Sequence, residues 1–323
     1  MPRRAAAKPS IWARNEILTA DHSRERTAAA GGITLALVAF AGFPIGDALI
    51  KSMAGDWPAP AVAALRFSIG AMALAVILFL REGRRGFQVN RPWLHVARGF
   101  ALFVGTISFF SAIYIMPLAD AVAISFVNPI LTALFSGWFL KEKMPPRTWV
   151  ATIVAFAGVL IMLRPNVAAF GWVAILPLIS AFAMSTMLIL NRMVSTQRSI
   201  FAAQFYIAFW AAVFLILASL LGHWLVPVMA VPGPPDWDVV LRCLLVALTA
   251  TGCHFLLFMA TMRTTAAAIA PIVYIQLLIA TAISVFVFDD PIDRTAMFGG
   301  LLIIFSGLLL WRSSRKATTV LEA

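Results

Sequence analysis

The chain has 323 residues, of which 62% are hydrophobic and only 12% are charged. A soluble protein carries roughly a quarter charged residues and a little under half apolar ones, so globular, disordered and collagen-like folds are excluded. A net charge of +11 then has to be tested as a membrane-topology signal before it is read as a nucleic-acid signal.

Residues 1–30 are polar, with Arg3, Arg4, Lys8, Arg14, Arg24 and Arg26. No small-residue cleavage site follows a short apolar stretch, so this is a cytoplasmic tail rather than a secretory signal. Trp12, Ile17 and Leu18 could make a weak interfacial helix, and a disordered tail is the simpler expectation. After it come apolar runs of the length a bilayer requires, about 20 residues each. They predict ten transmembrane helices: 31–51, 60–80, 93–115, 119–140, 148–163, 170–191, 200–221, 238–261, 264–288 and 296–311. The longest connection is 222–237, where Pro227, Pro232, Gly233, Pro234 and Pro235 cannot continue a helix. Residues 312–323 form a second polar tail.

With the N-terminus in the cytoplasm, nineteen Lys and Arg fall in inside segments and three, Lys51, Arg164 and Arg294, fall outside. The other three, Arg66, Arg98 and Arg242, lie within spans. That asymmetry predicts an inner-membrane protein with both termini cytoplasmic and leaves no charge signal for nucleic acid.

The two halves repeat each other. Span 3 opens with Trp93 and Arg98 and span 8 with Trp237 and Arg242, five residues apart in both. Span 4 carries Asn128-Pro129 and reaches Glu142 fourteen residues after the asparagine; span 9 carries Gln276 and reaches Asp290 after the same interval. Five spans per half is odd, so the second half enters the membrane inverted. The fold class is an all-α integral membrane protein of two inverted five-helix repeats, residues 31–163 and 170–311. Inverted repeats of this kind let two halves exchange roles, as alternating-access transporters do.

A charge in hydrocarbon costs at least about 2.5–3.5 kcal/mol on insertion scales, so intramembrane charges need partners or water. Asp47 and Arg66 lie at matching depth on antiparallel spans. They are expected to form an ion pair, which is either a static helix pin or a gate and substrate contact at the outer mouth. Arg98 and Arg242 each sit about five residues from a span end, shallow enough to snorkel to the interface. Asp120 falls at a helix N-terminus, where negative charge is favoured.

Near mid-bilayer the sequence offers Asn128, Pro129, Pro271, Tyr274 and Gln276. The prolines free backbone carbonyls and predict that spans 4 and 9 bend around a cavity. Asn128 and Gln276, neutral and related by the repeat, are candidate substrate contacts with Tyr274 beside them; interhelical bonding is the other reading of both amides. Ser108, Ser180 and Trp210 are further candidate lining residues. His254 lies deep in span 8, either as a satisfied neutral histidine or as a proton site.

Several of these segments resemble the EamA family of the drug/metabolite transporter superfamily. Ala119-Asp120-Ala121-Val122-Ala123, Asn128-Pro129 and Leu140-Lys141-Glu142 look like its first repeat. Ala266-Ala267-Ala268, Tyr274-Ile275-Gln276 and Phe288-Asp289-Asp290-Pro291 look like its second. Gly46-Asp47-Ala48-Leu49-Ile50-Lys51 and Leu65-Arg66-Phe67 resemble the branch labelled S-adenosylmethionine uptake transporters. Asp289-Asp290 departs from the family's Gly-Glu turn. The resemblance covers residues 31 to 311. It implies a secondary transporter of a small polar metabolite, such as an amino acid or an S-adenosylmethionine-like or vitamin-like compound. An exporter of drugs or amino acids on the same fold is the alternative.

A channel or a membrane-embedded enzyme is the competing class. No GxxxxGK[ST] or HExxH motif occurs, and Cys243 and Cys253 lie ten apart in one apolar run without metal or disulfide spacing. No catalytic residue, metal or cofactor is therefore expected. The expected partners are the substrate and the bilayer, with the chain a monomer or homodimer.

Overall fold

A computed structural model describes residues 11–139, 146–194, 199–263, 270–290 and 293–321. Eleven α-helices follow in chain order among them. They are α1 (Ile11–Lys51), α2 (Ala59–Glu82), α3 (Pro92–Ile113), α4 (Leu118–Ser125), α5 (Asn128–Phe139) and α6 (Pro146–Phe170). The remainder are α7 (Leu176–Val194), α8 (Ile200–Leu225), α9 (Trp237–Arg263), α10 (Ile275–Phe288) and α11 (Arg294–Leu321). In hydrocarbon every backbone polar group must be satisfied within the segment, which apolar runs of this length achieve only as helices. Seven stretches are long and apolar enough to cross a membrane. The shorter apolar helices are Trp149–Leu163, Ile272–Phe288 and Met297–Leu309.

The differences from the predicted spans have local causes. The span expected at 119–140 is two helices, α4 and α5, separated by a turn at Phe126 and Val127. Pro129 has no N–H to donate to Ser125, so the ladder stops there and restarts at Asn128. The span expected at 264–288 is likewise interrupted, with a 3₁₀ turn over Ala270–Tyr274 leading into α10. In contrast, Pro165 does not end span 5, and α6 continues to Phe170. Span 6 starts later than expected, at Leu176, after a 3₁₀ turn over Gly171–Ile175. Residues 11–30 and 312–321, expected as polar tails, continue the helices of α1 and α11. Glu142 and Ala266 to Ala268 lie outside the described residues.

The helices pack in pairs that exchange when the halves are exchanged. α1 lies against α9 and α10, while its counterpart α7 lies against α3 and α5. α2 meets its own counterpart α8, and α6 meets α11. Each half's first helix thus belongs to the other half's core. The principal core gathers Ile113, Met116, Leu118, Ile124 and Ile130 of the first half with Leu215, Val246 and Ile303 of the second.

Candidate functional site

α1 and α2 are joined by a short turn and both lie against α9, which places Asp47 and Arg66 one to two turns from that end. They do not form the direct ion pair the sequence led us to expect. Among the described residues the ion pairs are Lys51–Asp290, Arg242–Asp56 and Arg242–Asp238. Instead Asp47 and Arg66 line one small pocket together. The guanidinium stands over the rings of Phe67 and Phe110, 4.7 and 5.4 Å from their centroids. Cation–π contact of this kind holds a guanidinium in place without neutralising it.

The cavity's other wall is α9, with Val246, Thr249 and Ala250 facing Gly42, Phe43 and Gly46 of α1. The two glycines let the helices approach: a Cβ on Gly42 would collide with the Cys253 thiol, and one on Gly46 would touch Thr249 Oγ1 at 3.4 Å. Such small-residue faces are how membrane helices come together closely. Pro44 lies inside α1 between the glycines. The helix runs through it, and its missing N–H leaves the carbonyl of Phe40, one turn back, without its ladder partner. Below the cavity, the His254 ring meets Phe43 edge-on at 5.0 Å and donates from Nδ1 to Ala250 O at 2.7 Å.

Above the cavity, Lys51 Nζ donates to Asp290 Oδ2 at 2.8 Å and to Met116 O at 3.1 Å, and lies 4.9 Å from the Phe288 ring centroid. Ser284 Oγ donates to the same carboxylate at 2.9 Å. This tie joins α1 to the end of α10 and so joins the two halves. Arg242 bonds Ser52 O and the carboxylates of Asp56 and Asp238. Trp57 Nε1 and Tyr114 Oη are buried with no hydrogen-bond partner among the described residues.

The mid-bilayer candidates behave differently from one another. Asn128 opens α5, and its side-chain oxygen accepts from Thr132 Oγ1 at 3.0 Å and lies 2.8 Å from Ser185 Oγ of α7. Ser185 is fully buried. Asn128 therefore ties α5 to α7. Gln276 sits in the first turn of α10, half-buried, with no hydrogen-bond partner among the described residues. The Tyr274 ring packs on the Phe126 ring with centroids 5.4 Å apart. These two rings each precede a repeat-related amide by two residues, so the two helix breaks meet through equivalent positions. The Tyr274 hydroxyl fills the space where Gly307 of α11 would carry a Cβ. Trp210 stacks with Phe209 and Phe214, and its Cβ packs on Gly99 of α3. Ser108 and Ser180 are buried on α3 and α7. None of these residues lines the Asp47–Arg66 cavity.

At the opposite end Arg98 does not snorkel. It is 4% exposed, and its head crosses to the second half. Nε donates to Asn191 Oδ1 at 2.6 Å, and Nη1 donates to Ala203 O at 3.3 Å and lies 3.2 Å from His95 Nδ1. Nearby, Ser199 Oγ donates to Glu82 Oε1 at 2.6 Å and Tyr206 Oη donates to Phe87 O at 2.7 Å. The bundle is thus tied across the halves at both ends. Among the described residues no group of three or more His, Cys, Asp or Glu is placed to hold a metal ion.

The sequence profile of the EamA-like transporter family matches residues 30–164 and again 171–312, and the chain belongs to that family. It is a multi-pass membrane transporter, not an enzyme. An S-adenosylmethionine uptake transporter of Rickettsia bellii is 29% identical over 256 residues, covering 79% of this chain and 84% of that one. A pseudopaline exporter of Pseudomonas aeruginosa is 24% identical over 290 residues, covering 88% and 97%. A solved structure described as "Crystal structure of protein" has a TM-score of 0.59 at 20% identity, covering 90% of this chain and 99% of the other, and supports the fold alone.

Proposed function

We propose that this chain carries a small polar metabolite bearing both a cationic group and a carboxylate across the inner membrane by alternating access. The observation that carries the reading is that Asp47 and Arg66 share a cavity without closing on each other. Two unpaired charges inside a bilayer are costly, and a ligand with a complementary cation and anion offsets the cost of both. The cation of the ligand goes to Asp47 and its carboxylate to Arg66. S-adenosylmethionine, named for several relatives, carries both groups, and so do amino acids.

In this reading the chain crosses ten times, as two inverted repeats at 31–163 and 170–311, with both termini cytoplasmic. The Lys51 end is then the outer face and the Arg98 end the cytoplasmic face. Gln276 is the deeper substrate contact, with Tyr274 beside it, and Asn128 holds the first helix break in place. Transport requires the Lys51–Asp290 tie and the Arg98 ties to open in turn. A ligand shifts that equilibrium only through different affinities for the two states.

The test is counterflow in proteoliposomes with S-adenosylmethionine, its decarboxylated analogue and a panel of amino acids. Saturable exchange that is lost in Asp47→Asn and Arg66→Gln supports the reading. A conductance without saturation sinks it. For the orientation, Gly233→Cys and Asp293→Cys should label with an impermeant thiol reagent from outside intact cells, and Arg85→Cys should not.

A further inference from the structure

Arg98 and Arg242 occupy equivalent places in the two halves but have opposite surroundings. Arg242 is neutralised by the carboxylates of Asp56 and Asp238 and is a quarter exposed. Arg98 is almost fully buried, and its hydrogen-bond partners are an amide, an imidazole and a backbone carbonyl, all neutral. Among the described residues no carboxylate lies within ion-pair distance of it, and its Nη2 has no partner. A guanidinium in such a place keeps its full charge and two unused donors aimed in a fixed fork.

We infer that Arg98 is the anion-holding residue of a second station, at the end of the bundle opposite Lys51, which receives the carboxylate of the transported molecule. The inference rests on the carrier reading above and adds a second binding place to it. Asn191 and Ala203 O fix the direction of the guanidinium by bonding Nε and Nη1, which leaves Nη2 for the incoming anion. The neighbouring Gly99 packs directly on Trp210, so the helix carrying Arg98 is held against α8. The station is built from both halves, α3 on one side and α7 and α8 on the other. An anion there bears on the seam that must open to this face. A molecule leaving Arg66 therefore meets a second arginine before release, and its carboxylate is held by a guanidinium in either access state.

The experiment uses the full chain in phosphatidylcholine vesicles of fixed sidedness. Exchange of S-adenosylmethionine and of its decarboxylated analogue is measured from each face, with the other face saturated. Arg98→Gln should raise the half-saturation concentration for S-adenosylmethionine about tenfold or more from the Arg98 face, the effect of losing a charge-assisted hydrogen bond. From the Lys51 face the change should stay under about twofold, and the decarboxylated analogue should be unaffected from either face. Arg98→Lys should fall between. Equal rises from both faces, or equal rises for both compounds, would make Arg98 a structural brace and overturn the inference. If the wild type exchanges neither compound, the choice of substrate fails, and Arg98 is decided by a second measurement. Acetate, compared with chloride at equal ionic strength, should raise the melting temperature of the wild type more than that of Arg98→Gln, since a ligand stabilises by mass action. Equal shifts in the two proteins overturn the inference. An acetate shift that vanishes once phosphatidylglycerol is added would assign the station to a lipid phosphate instead, which also overturns it.

Discussion

The helix breaks in the two halves come from the same sequence pattern and end in different chemistry. At the first, Asn128 spends its side-chain oxygen on Ser185 and Thr132, so the break is tied to α7. At the second, Gln276 has no hydrogen-bond partner among the described residues, and order comes from Tyr274 wedged between Phe126 and Gly307. One break is held by polar bonds to its amide oxygen. The other is held by shape and keeps its amide available. A repeat therefore preserves where the backbone opens without preserving what the opened residue does.

The sharpest way to break this comparison is at Gly307. A methyl there displaces the Tyr274 hydroxyl, and overpacking of a fitted contact costs about 1–3 kcal/mol. Gly307→Ala should lower stability by that amount in detergent unfolding. Adding Tyr274→Phe removes the oxygen, the nearer of the two atoms that collide, while Cζ stays 2.5 Å from the new methyl, so the double variant should recover part of the loss. Without recovery, the second break is not held by the shape of Tyr274.

Asn128→Leu comes next, at about 1–1.5 kcal/mol, the net worth of a buried interhelical hydrogen bond. Ser185→Ala should cost about the same alone and little more in the Asn128→Leu background. Additive losses in that cycle would show that the two side chains are not coupled and that the first break is not pinned through them.

Some of this was legible from the sequence and some was not. Hydropathy marks the helices, because hydrocarbon forces the backbone to satisfy itself locally. Pro129 marked the first break, because a missing N–H is also a local property. The partners of the charges were not legible. Asp47 and Arg66 have matching depth, but depth does not say whether two side chains touch or face a gap. Arg98 and Arg242 looked alike in sequence spacing. Asn191 and Ala203, which pull Arg98 inward, lie 93 and 105 residues away in the chain. The Lys51–Asp290 tie spans 239 residues, and both groups read from the sequence as ordinary loop-end charges. The unfilled polar atoms of Trp57 and Tyr114 were equally invisible.

That tie gives a smaller test, because it anchors the far end of α10, the helix that follows the second break. Lys51 and Asp290 side chains are 13% and 22% exposed, so water partly screens them. Their coupling in a cycle of Lys51→Met and Asp290→Asn should be about 0.5–1 kcal/mol, near the upper range for partly exposed pairs. It should weaken as salt rises from 0.05 to 0.5 M, by unfolding measured in both. A coupling near zero at low salt would mean that α10 is not anchored by this pair.

The last test concerns Gln276, where the smallest change in stability is expected. Gln276→Leu removes an amide that bonds no described residue, and leucine has similar volume and a comparable helix propensity. Its effect on unfolding should stay under about 0.5 kcal/mol, as for substitutions that break no named interaction. If the free amide serves the ligand, the half-saturation concentration for exchange should nevertheless rise about three- to tenfold, the effect of one unmet hydrogen bond. Asn128→Leu should show the reverse profile, with stability lost and the half-saturation of the surviving folded protein close to wild type. The contrast is informative because the two substitutions delete similar side chains at repeat-related positions. Their different outcomes can come only from the partners each amide has. If both variants lose stability alike, Gln276 has a structural partner after all. If both exchange normally, the substrate is held by Asp47 and Arg66 without help from either break.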